Sequence, residues 1–494
     1  MFSLYTETPS FFNDICEEIR LFLPEEKRII QLEHKNDMNA GEVLRHFFWQ
    51  DETGWHNRAE YYTAGSRSAA IEEQPEFTDD HGNTVDITAP TLLAKKLKKH
   101  AVKQLIYRVM QEVCPKNMPW GSLTGIRPTK LFRELSKQHG TEWAHRIFTE
   151  RYCVSEPKTQ LAETICRVQE PFLKNSGTRD LDIYIGIPFC VSRCKYCSFI
   201  SRDLKFNETI KDQYLPCLMH ELDGMEEVFP KYRIRSVYIG GGTPTALNDH
   251  DLETVLKKVS GLFPERIEFT VEAGRPDTVT PEKLRILKDY GVERISINAQ
   301  TTNDRTLELI GRNHTSEEFR RAFSLANKAG FKNINTDIIL GLPCETVRDV
   351  KKTLTDIMEF APSNVTVHTL AIKQSSAFAE ERQNDLPGPG IVTEMVEFSQ
   401  EFLFTAGYLP YYLYRQKYMS GNLENVGFAK PGAECIYNID IMEETVSNLA
   451  FGAGGISKKL FPEQNLIKRA PNVKDLKNYI DRTDEMIRRK KELF

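Results

Sequence analysis

Three of the chain's ten cysteines fall within eight residues, in the run Tyr184-Ile-Gly-Ile-Pro-Phe-Cys190-Val-Ser-Arg-Cys194-Lys-Tyr-Cys197. Thiolates are soft donors, suited to iron–sulfur clusters or to zinc. Spacings of three and two intervening residues let one short loop wrap a cubane and reach three of its irons. A structural zinc site normally takes four ligands in two separated pairs, and no fourth ligand of matching spacing follows here. Chance clustering of small buried side chains is the blandest alternative. Three protein ligands on a four-iron cluster leave one iron open. That iron can be chelated by the amino and carboxylate groups of S-adenosyl-L-methionine. An electron passed to the sulfonium then cleaves a carbon–sulfur bond, giving methionine and a 5′-deoxyadenosyl radical, while the protein positions the cofactor and excludes water.

Such a loop needs a rigid frame. The middle of the chain alternates β-rich runs with amphipathic helical runs. Strands are expected at Leu181–Ile187, Ser236–Ile239, Ile267–Glu272, Glu293–Asn298, Ile334–Ile339 and Asn364–Leu370. Leu252, Val255, Leu256 and Val259 recur with helical spacing. Thr280-Pro281 opens a further helix that Gly291 ends. Thr315 and Glu318 form a capping box before Phe319, Phe323 and Ala326, and Gly330 closes that helix. Six strands alternating with helices imply right-handed crossovers and a parallel sheet. The expected fold class is α/β: a partial (β/α)6 TIM-like barrel with an N-terminal α/β domain and a C-terminal cap region.

The polar punctuation lies at the carboxyl ends of these strands. The cysteines follow the first, Gly240-Gly241-Gly242-Thr243-Pro244 the second and Glu272-Ala273-Gly274-Arg275-Pro276 the third. Asn298 and Gln300 end the fourth, Asp337 and Gly341-Leu342-Pro343 mark the fifth, and His368 to Lys373 the sixth. Ligands of parallel α/β folds bind at this rim. The glycine run taken alone is equally a tight turn, and Arg312 or Asp337 taken alone an ordinary ion pair.

Three domains are expected: residues 1–175 as an α/β domain of unknown role, 176–382 as the core barrel, and 383–494 as the cap, with Gln383–Gly390 as a linker. In the first, Arg28–Glu33 and Glu60–Thr63 read as strands. Residues 90–114 read as a helix with Leu93, Leu97, Leu105, Val109 and Val113 inward and Lys95, Lys96, Lys98, Lys99 and Lys103 on a solvated face. A formal net charge of -5 gives no sign of a polyanion-binding protein, so nucleic acid is not an expected partner. No apolar run is long enough to span a membrane, and the N-terminus lacks the pattern of an export signal. The expected location is cytoplasmic.

The cysteine loop resembles the signature of the radical S-adenosylmethionine superfamily. The wider pattern is similar to the anaerobic, oxygen-independent coproporphyrinogen III oxidase (dehydrogenase) family, especially its longer HemZ-type branch. The matching segments are YIGIPFCVSRCKYCSF, VYIGGGTPT, TVEAGRPDT, ERISINAQ, IGRNH, NTDIILGLP, TVHTLAIK and GYLPYYLYRQKYMSGNLENVGFAKPG, with TGIRPTK further upstream. This resemblance implies that Cys190, Cys194 and Cys197 hold a 4Fe-4S cluster. It implies that Tyr184 packs near the cofactor's sulfonium and Tyr196 near its adenine. Gly241, Gly242 and Thr243 would approach the methionyl amino group, where glycine lets backbone come close. Glu272, Gln300, Arg312 and Asp337 would hold polar groups of the cofactor, with Ala371 lining the site. Tyr184 and Glu272 stand closest to the chemistry on this reading.

The activity implied is oxidative decarboxylation of two propionates of coproporphyrinogen III to the vinyl groups of protoporphyrinogen IX, in haem biosynthesis. A tetrapyrrole substrate and a low-potential donor such as flavodoxin or ferredoxin are the implied partners. A polycarboxylate needs cations, and Arg275, Lys373 and Arg415 are candidates. Tyr408, Tyr411, Tyr412 and Tyr414 could face the ring, although such a stripe is more often core. Two departures bear on the reaction. Family members with established dehydrogenase activity carry a further cysteine where this chain has Phe199, and usually a histidine where it has Gly186; the HemZ-type branch shares both changes. Related haem-trafficking proteins keep the cluster and also lack the extra cysteine. Their characteristic HN-containing segment reads Cys435-Ile-Tyr-Asn438 here, which argues against that role. Radical-driven modification or opening of haem is a third reading.

Overall fold

The computed structural model describes residues 1–23, 27–37, 41–79, 83–372, 376–378, 385–416 and 419–494. The chain divides into two compact units, Met1–Glu163 and Thr164–Phe494.

The first unit is built on a sheet ordered β2-β1-β3-β4-β5, from β1 (Phe2–Thr6), β2 (Ile29–Gln31), β3 (Glu42–Asp51), β4 (Gly54–Thr63) and β5 (Ser66–Glu73). The β4–β5 hairpin turns on Ala64 and Gly65, both at positive φ (49° and 82°), the geometry that matches strand twist. Ile15 and Ile19 of the helix Phe12–Arg20 join Val102, Leu105, Ile106 and Val109 of the helix Leu92–Val113 in one apolar core with Phe2 and Leu4. Two expectations for the second helix change. Leu93 is exposed rather than inward. Part of the basic face is engaged within the unit: Lys103 pairs with buried Glu18 at 2.9 Å, Lys99 with Asp14 at 3.3 Å, and Lys98 lies 4.6 Å from the Phe48 ring centroid. Lys95 and Lys96 are exposed as expected.

In the second unit all six expected core strands form, in chain order and parallel. They are β6 (Asp180–Ile187), β9 (Arg233–Gly241), β10 (Glu268–Glu272), β11 (Arg294–Ser296), β12 (Asn333–Leu340) and β13 (Asn364–Thr369). Between β6 and β9 lies a short pair, β7 (Phe189–Cys190) with β8 (Arg202–Asp203). The crossover helices start where the sequence says: Thr280 accepts the Lys283 N–H, and Thr315 with Glu318 makes both bonds of its capping box. Outward residues such as Ile183, Val237, Phe269 and Ile295 are fully buried under these helices, each contributing about 1.5–3 kcal/mol. Inward residues are polar or aromatic: Asp182, Tyr184, Ser236, Tyr238, Thr270 and Asn335.

The region after residue 385 extends the sheet at both edges. β15 (Asn425–Ala429) runs antiparallel beside β13 and β14 (Leu409–Tyr414) antiparallel beside β15, while β16 (Ser447–Phe451) lies parallel to β6 and carries β17 (Ile456–Phe461) and β18 (Leu466–Pro471). The sheet order is therefore β14-β15-β13-β12-β11-β10-β9-β6-β16-β17-β18, an open arrangement around a (β/α)6 core. The helix Ile436–Glu443 and the turn before it close the amino-terminal end of that core. Glu268 accepts the Ile436 and Tyr437 N–H groups at 3.0 and 3.1 Å, Arg235 bonds Asp440 at 2.5 Å, and Asn364 donates to the Ala433 carbonyl at 2.8 Å. With one end plugged, the carboxyl rim is where a ligand can enter. Among the described residues no helix is long and apolar enough to cross a membrane.

Candidate functional site

The cysteine loop leaves β6 and returns through β8, whose Arg202 and Asp203 pair with Phe189 and Cys190 of β7. It is pinned from the far side by the Lys195 N–H, which donates to the Ile310 carbonyl at 3.0 Å. Cys190 Sγ stands 3.4 Å from Thr243 Oγ1, and Arg275 Nη1 donates toward Cys194 Sγ at 3.8 Å. Burial pushes the Cys190 thiol up to about 11, the Thr243 hydroxyl opposes this, and the neighbouring Cys197 and Cys194 thiols add to it. Burial also raises Cys197. Buried thiols such as Cys190 and Cys197 are poor thiolates by themselves and good ones on a cation, because a bound metal deprotonates them outright. Among the described residues no three His, Cys, Asp or Glu side chains converge as on a single ion. A cubane offers its irons at separate corners, so its ligands stand further apart. The donor set fits a cluster.

The glycine strap at the end of β9 lies directly against this loop. Gly242 N–H donates to the Ile187 carbonyl at 2.8 Å and Thr243 N–H to the Phe189 carbonyl at 2.7 Å. A Cβ on Gly242 would sit 2.5 Å from the Phe189 carbonyl oxygen, and Gly241 has φ +110°, so both positions exclude larger residues. The Glu272 carboxyl lies against the same strap, where a Cβ on Gly240 would sit 2.8 Å from its carboxyl carbon, and the Gly241 N–H faces it. Tyr238 Oη donates to Glu272 Oε1 at 2.7 Å. Burial raises the Glu272 carboxyl to about 7; the Tyr238 hydroxyl and the Gly241 N–H oppose the rise, and the nearby Asp337 charge adds to it. Cys190, Thr243, Gly241 and Glu272 thus form one contiguous line from the thiols to a buried acid.

Beyond β11, Gln300 takes φ +62° while its backbone bridges β12, donating to Asp337 O at 2.8 Å and accepting from Ile339 at 2.9 Å. Its side-chain Oε1 is buried without a hydrogen-bond partner among the described residues. A buried amide oxygen without a donor, on the same rim as the buried Glu272 carboxyl, suits a ligand bearing N–H groups. The amino-acid head of S-adenosylmethionine is such a ligand.

Asp337 accepts from Asn335 Nδ2 at 2.7 Å and lies 3.7 Å from His368 Nε2. Burial pushes its carboxyl up, but His368, Asn335 and Thr366 outweigh burial and hold it below the usual carboxylate range. Tyr414 Oη lies 3.3 Å from the other ring nitrogen of His368. Tyr184 stacks in a group with Tyr238 and Tyr437, at centroid distances of 6.4 and 6.3 Å. Ala371 forms an isolated bridge with Met419 near the sixth strand end. Tyr196 packs with Leu307, Ile310 and Leu342.

Three expected roles meet a different geometry. Arg312 is 5% exposed and already engaged: its Nη2 donates to the Gly274 and Asn298 carbonyls at 2.7 and 3.0 Å, and its Nη1 to Tyr196 Oη at 3.1 Å. It ties two strand ends to the cysteine loop. Arg275, expected at substrate carboxylates, is 3% exposed, grips Asp277 through two bonds and donates to Ser192. Arg415 is also buried and donates to the Asn422 carbonyl at 3.0 Å. Lys373 and the 382/383 boundary lie outside the described residues. Tyr408, Tyr411 and Tyr412 are core, as stripes of this kind usually are. The sequence reading passed over Tyr238 and Tyr437. Tyr238 could have been found, because it sits level with Tyr184 across parallel β6 and β9. Tyr437 arrives from the plugging helix and carries no such signal.

The Radical SAM superfamily model matches residues 184–357. The oxygen-independent coproporphyrinogen-III oxidase-like protein HemZ of Bacillus subtilis is 36% identical over 414 residues, covering 81% of this chain and 83% of that protein. The heme chaperone HemW of Escherichia coli is 30% identical over 290 residues, 58% of this chain and 72% of that one. Among solved structures, the coproporphyrinogen III oxidase HemN of Escherichia coli, a radical SAM enzyme, superposes with a TM-score of 0.52 at 25% identity, over 65% of this chain and 73% of that one.

Proposed function

The chain belongs to the oxygen-independent coproporphyrinogen-III oxidase-like family of the radical SAM superfamily, on its HemZ-type branch, and from that premise we propose that it oxidatively decarboxylates propionate side chains of coproporphyrinogen III. The cofactors of the superfamily are a 4Fe-4S cluster and S-adenosyl-L-methionine. When bound they supply a 5′-deoxyadenosyl radical for hydrogen abstraction.

The remaining work belongs to this chain's side chains. Cys190, Cys194 and Cys197 would hold the cluster, with Arg275 donating a hydrogen bond to the Cys194 sulfur. Glu272 would accept an N–H of the methionyl amino group and Gln300 would accept another N–H, filling the one hydrogen bond its Oε1 lacks. Gly241, Gly242 and Thr243 keep the strap thin enough for that head group to approach. Tyr184, Tyr196 and Ala371 would flank the adenosyl part, and Asp337 would take a ribose hydroxyl. Arg312 would act on the cofactor through Tyr196, because its guanidinium already serves the Gly274 and Asn298 carbonyls. Loss of one hydrogen from the propionate β-carbon, of carbon dioxide, and of one further electron to an acceptor turns each propionate into a vinyl group. A low-potential carrier such as flavodoxin or ferredoxin would supply the electron for each cofactor cleavage.

The observation that carries this reading is the contiguous line from Cys190 through Thr243 and Gly241 to Glu272, at the open rim of a chain so similar to HemZ. A second reading, a haem-binding chaperone or an enzyme acting on haem itself, is favoured by the inward burial of Arg275 and Arg415. That burial removes two of the cations a polycarboxylate would meet, and the likeness to HemW points the same way. One anaerobic assay separates them: reconstituted protein, dithionite, S-adenosylmethionine and coproporphyrinogen III, following 5′-deoxyadenosine and tetrapyrroles together. Vinyl products formed with 5′-deoxyadenosine establish the decarboxylase. Cofactor cleavage without decarboxylation, together with tight haem binding, moves the activity to haem.

A further inference from the structure

The segment that follows the cluster cysteines is unusually apolar for an exposed surface. Phe199 is 68% exposed, Phe206 76% and Val191 36%. Single exposed hydrophobic residues are ordinary, but here three lie within sixteen residues, two on the loop and Phe206 in the first turn of the helix Leu204–Asp223 that follows the return strand. The same stretch exposes Arg193, Arg202 and Lys205. Lys205 Nζ lies 5.6 Å from the Phe206 ring centroid. Of the acids in this stretch, Asp203 is half-buried and accepts the Lys205 N–H at 2.9 Å as a helix cap, which leaves Glu208 as the fully exposed carboxylate.

This patch is joined to the cluster loop by backbone. Arg202 and Asp203 pair with Phe189 and Cys190, so they stand one strand spacing, about 4.8 Å, from the strand that delivers the first cysteine. The Arg202 N–H donates to the Pro188 carbonyl at 2.9 Å. Phe199 follows Cys197 by two residues. A stretch that exposes apolar and cationic side chains together, joined to the loop of a redox centre, has the composition of a small transient interface steered by charge.

We propose that Val191, Arg193, Phe199, Arg202, Lys205 and Phe206 form the docking surface for a small acidic protein that carries a low-potential redox centre. The proposal rests on the radical SAM reading above and adds to it the place where the electron enters. The carrier gives up one electron and the cluster takes it; no bond forms or breaks between the two proteins. The two phenylalanines seat the carrier, and the cations select its acidic face and speed encounter.

The test compares two reductants on the full-length reconstituted protein, with 5′-deoxyadenosine formation as the readout. Dithionite is small and needs no docking surface; photochemically reduced flavodoxin does. The variants are Lys205→Glu, Arg202→Glu/Lys205→Glu and Phe206→Ser. With flavodoxin, the double reversal is expected to raise KM about tenfold, equivalent to about 1.4 kcal/mol, and Phe206→Ser to raise it severalfold. Native activity with flavodoxin falls as salt is added. With dithionite all three variants stay within about twofold of native. Unchanged flavodoxin KM in the double variant overturns the proposal, as does equal loss with both reductants in Lys205→Glu and Phe206→Ser alike. A native protein driven by dithionite but by neither flavodoxin nor ferredoxin also overturns it. Failure of the native protein with dithionite is a separate result and counts against the radical SAM reading.

Discussion

The Arg275 guanidinium stands between Cys194 and Asp277, 3.8 Å from the thiol sulfur through Nη1 and held in place by two bonds of 3.0 and 2.9 Å to the carboxylate. A cation fixed beside a thiolate stabilises the added negative charge of a reduced cluster. Replacing Arg275 with Met removes that charge and leaves Asp277 without its partner. The expected outcome is a lower midpoint potential, seen in a redox titration followed by electron paramagnetic resonance, and slower cofactor cleavage by about tenfold. Iron content after reconstitution should fall less than in Cys194→Ala, which should retain none of the four irons. An unchanged potential would place Arg275 in a purely structural role.

Glu272 gives the site a pH dependence whose sign follows from its environment. Burial lifts its carboxyl to about 7, against about 4.3 in an unfolded chain. The folded protein therefore holds more protons than the unfolded chain between those values. The stability from this group is fully present below about pH 4.3 and is lost as pH rises to about 7, by up to roughly 3 kcal/mol. Glu272→Gln should remove that part of the pH slope in denaturant titrations. A methionyl amino group that donates an N–H to Glu272 acts in the opposite direction, because that hydrogen bond favours the carboxylate. Binding of S-adenosylmethionine near pH 6.5 should release most of one proton from this carboxyl, and affinity should rise toward pH 8. Calorimetry in buffers of different ionisation enthalpy measures the release, and Glu272→Gln should lower it by the carboxyl's share.

The legibility of the site followed its periodicity. The β6 and β9–β13 runs alternate cleanly between covered apolar and inward polar residues, and their helices carry caps such as Thr280 and Thr315, so frame and rim could be read directly. The direction of the long cations could not. Arg275 and Arg415 sit at strand ends like substrate ligands, yet two carboxylate bonds and loop carbonyls turn them inward, and those partners are set by tertiary contacts. β16 was hidden for a similar reason: Ser-Asn-Leu-Ala-Phe is buried along its whole length, and a short run covered on both faces lacks the alternation that marks a half-buried strand. Its place beside β6 depends on a return of more than 250 residues.

Arg312 separates structural from cofactor roles most directly. Its side chain is the donor to the Gly274 and Asn298 carbonyls and to Tyr196. Arg312→Ala leaves buried acceptors unpaired, at about 1–3 kcal/mol each before relaxation. We expect a clear loss of stability against denaturant and a raised KM for S-adenosylmethionine through a loosened Tyr196. A variant that keeps its stability and loses only cofactor affinity would show that Arg312 touches the cofactor directly.

The most remote support of the site is a buried pair near the end of the chain. Lys490 and Glu221 are both fully buried and ion-paired. The same carboxylate accepts Asn472 Nδ2 at 2.8 Å, Tyr479 Oη at 2.7 Å and the Gly452 N–H at 2.7 Å. Gly452, at φ +89°, has no room for a Cβ against the Gly186 carbonyl of β6, and Tyr214 Oη links Gly186 to Ala453. The pair therefore braces the strand that feeds the cysteine loop. Lys490→Met strands a buried carboxylate and should cost about 3–5 kcal/mol, read as a lower denaturation midpoint. Lys490→Met combined with Glu221→Gln removes the stranded charge and should recover part of that loss. If the double variant is no better than the single one, loss of the contact between the Lys490 ammonium and the Phe451 ring, whose centroid is 4.8 Å from Nζ, is the larger effect.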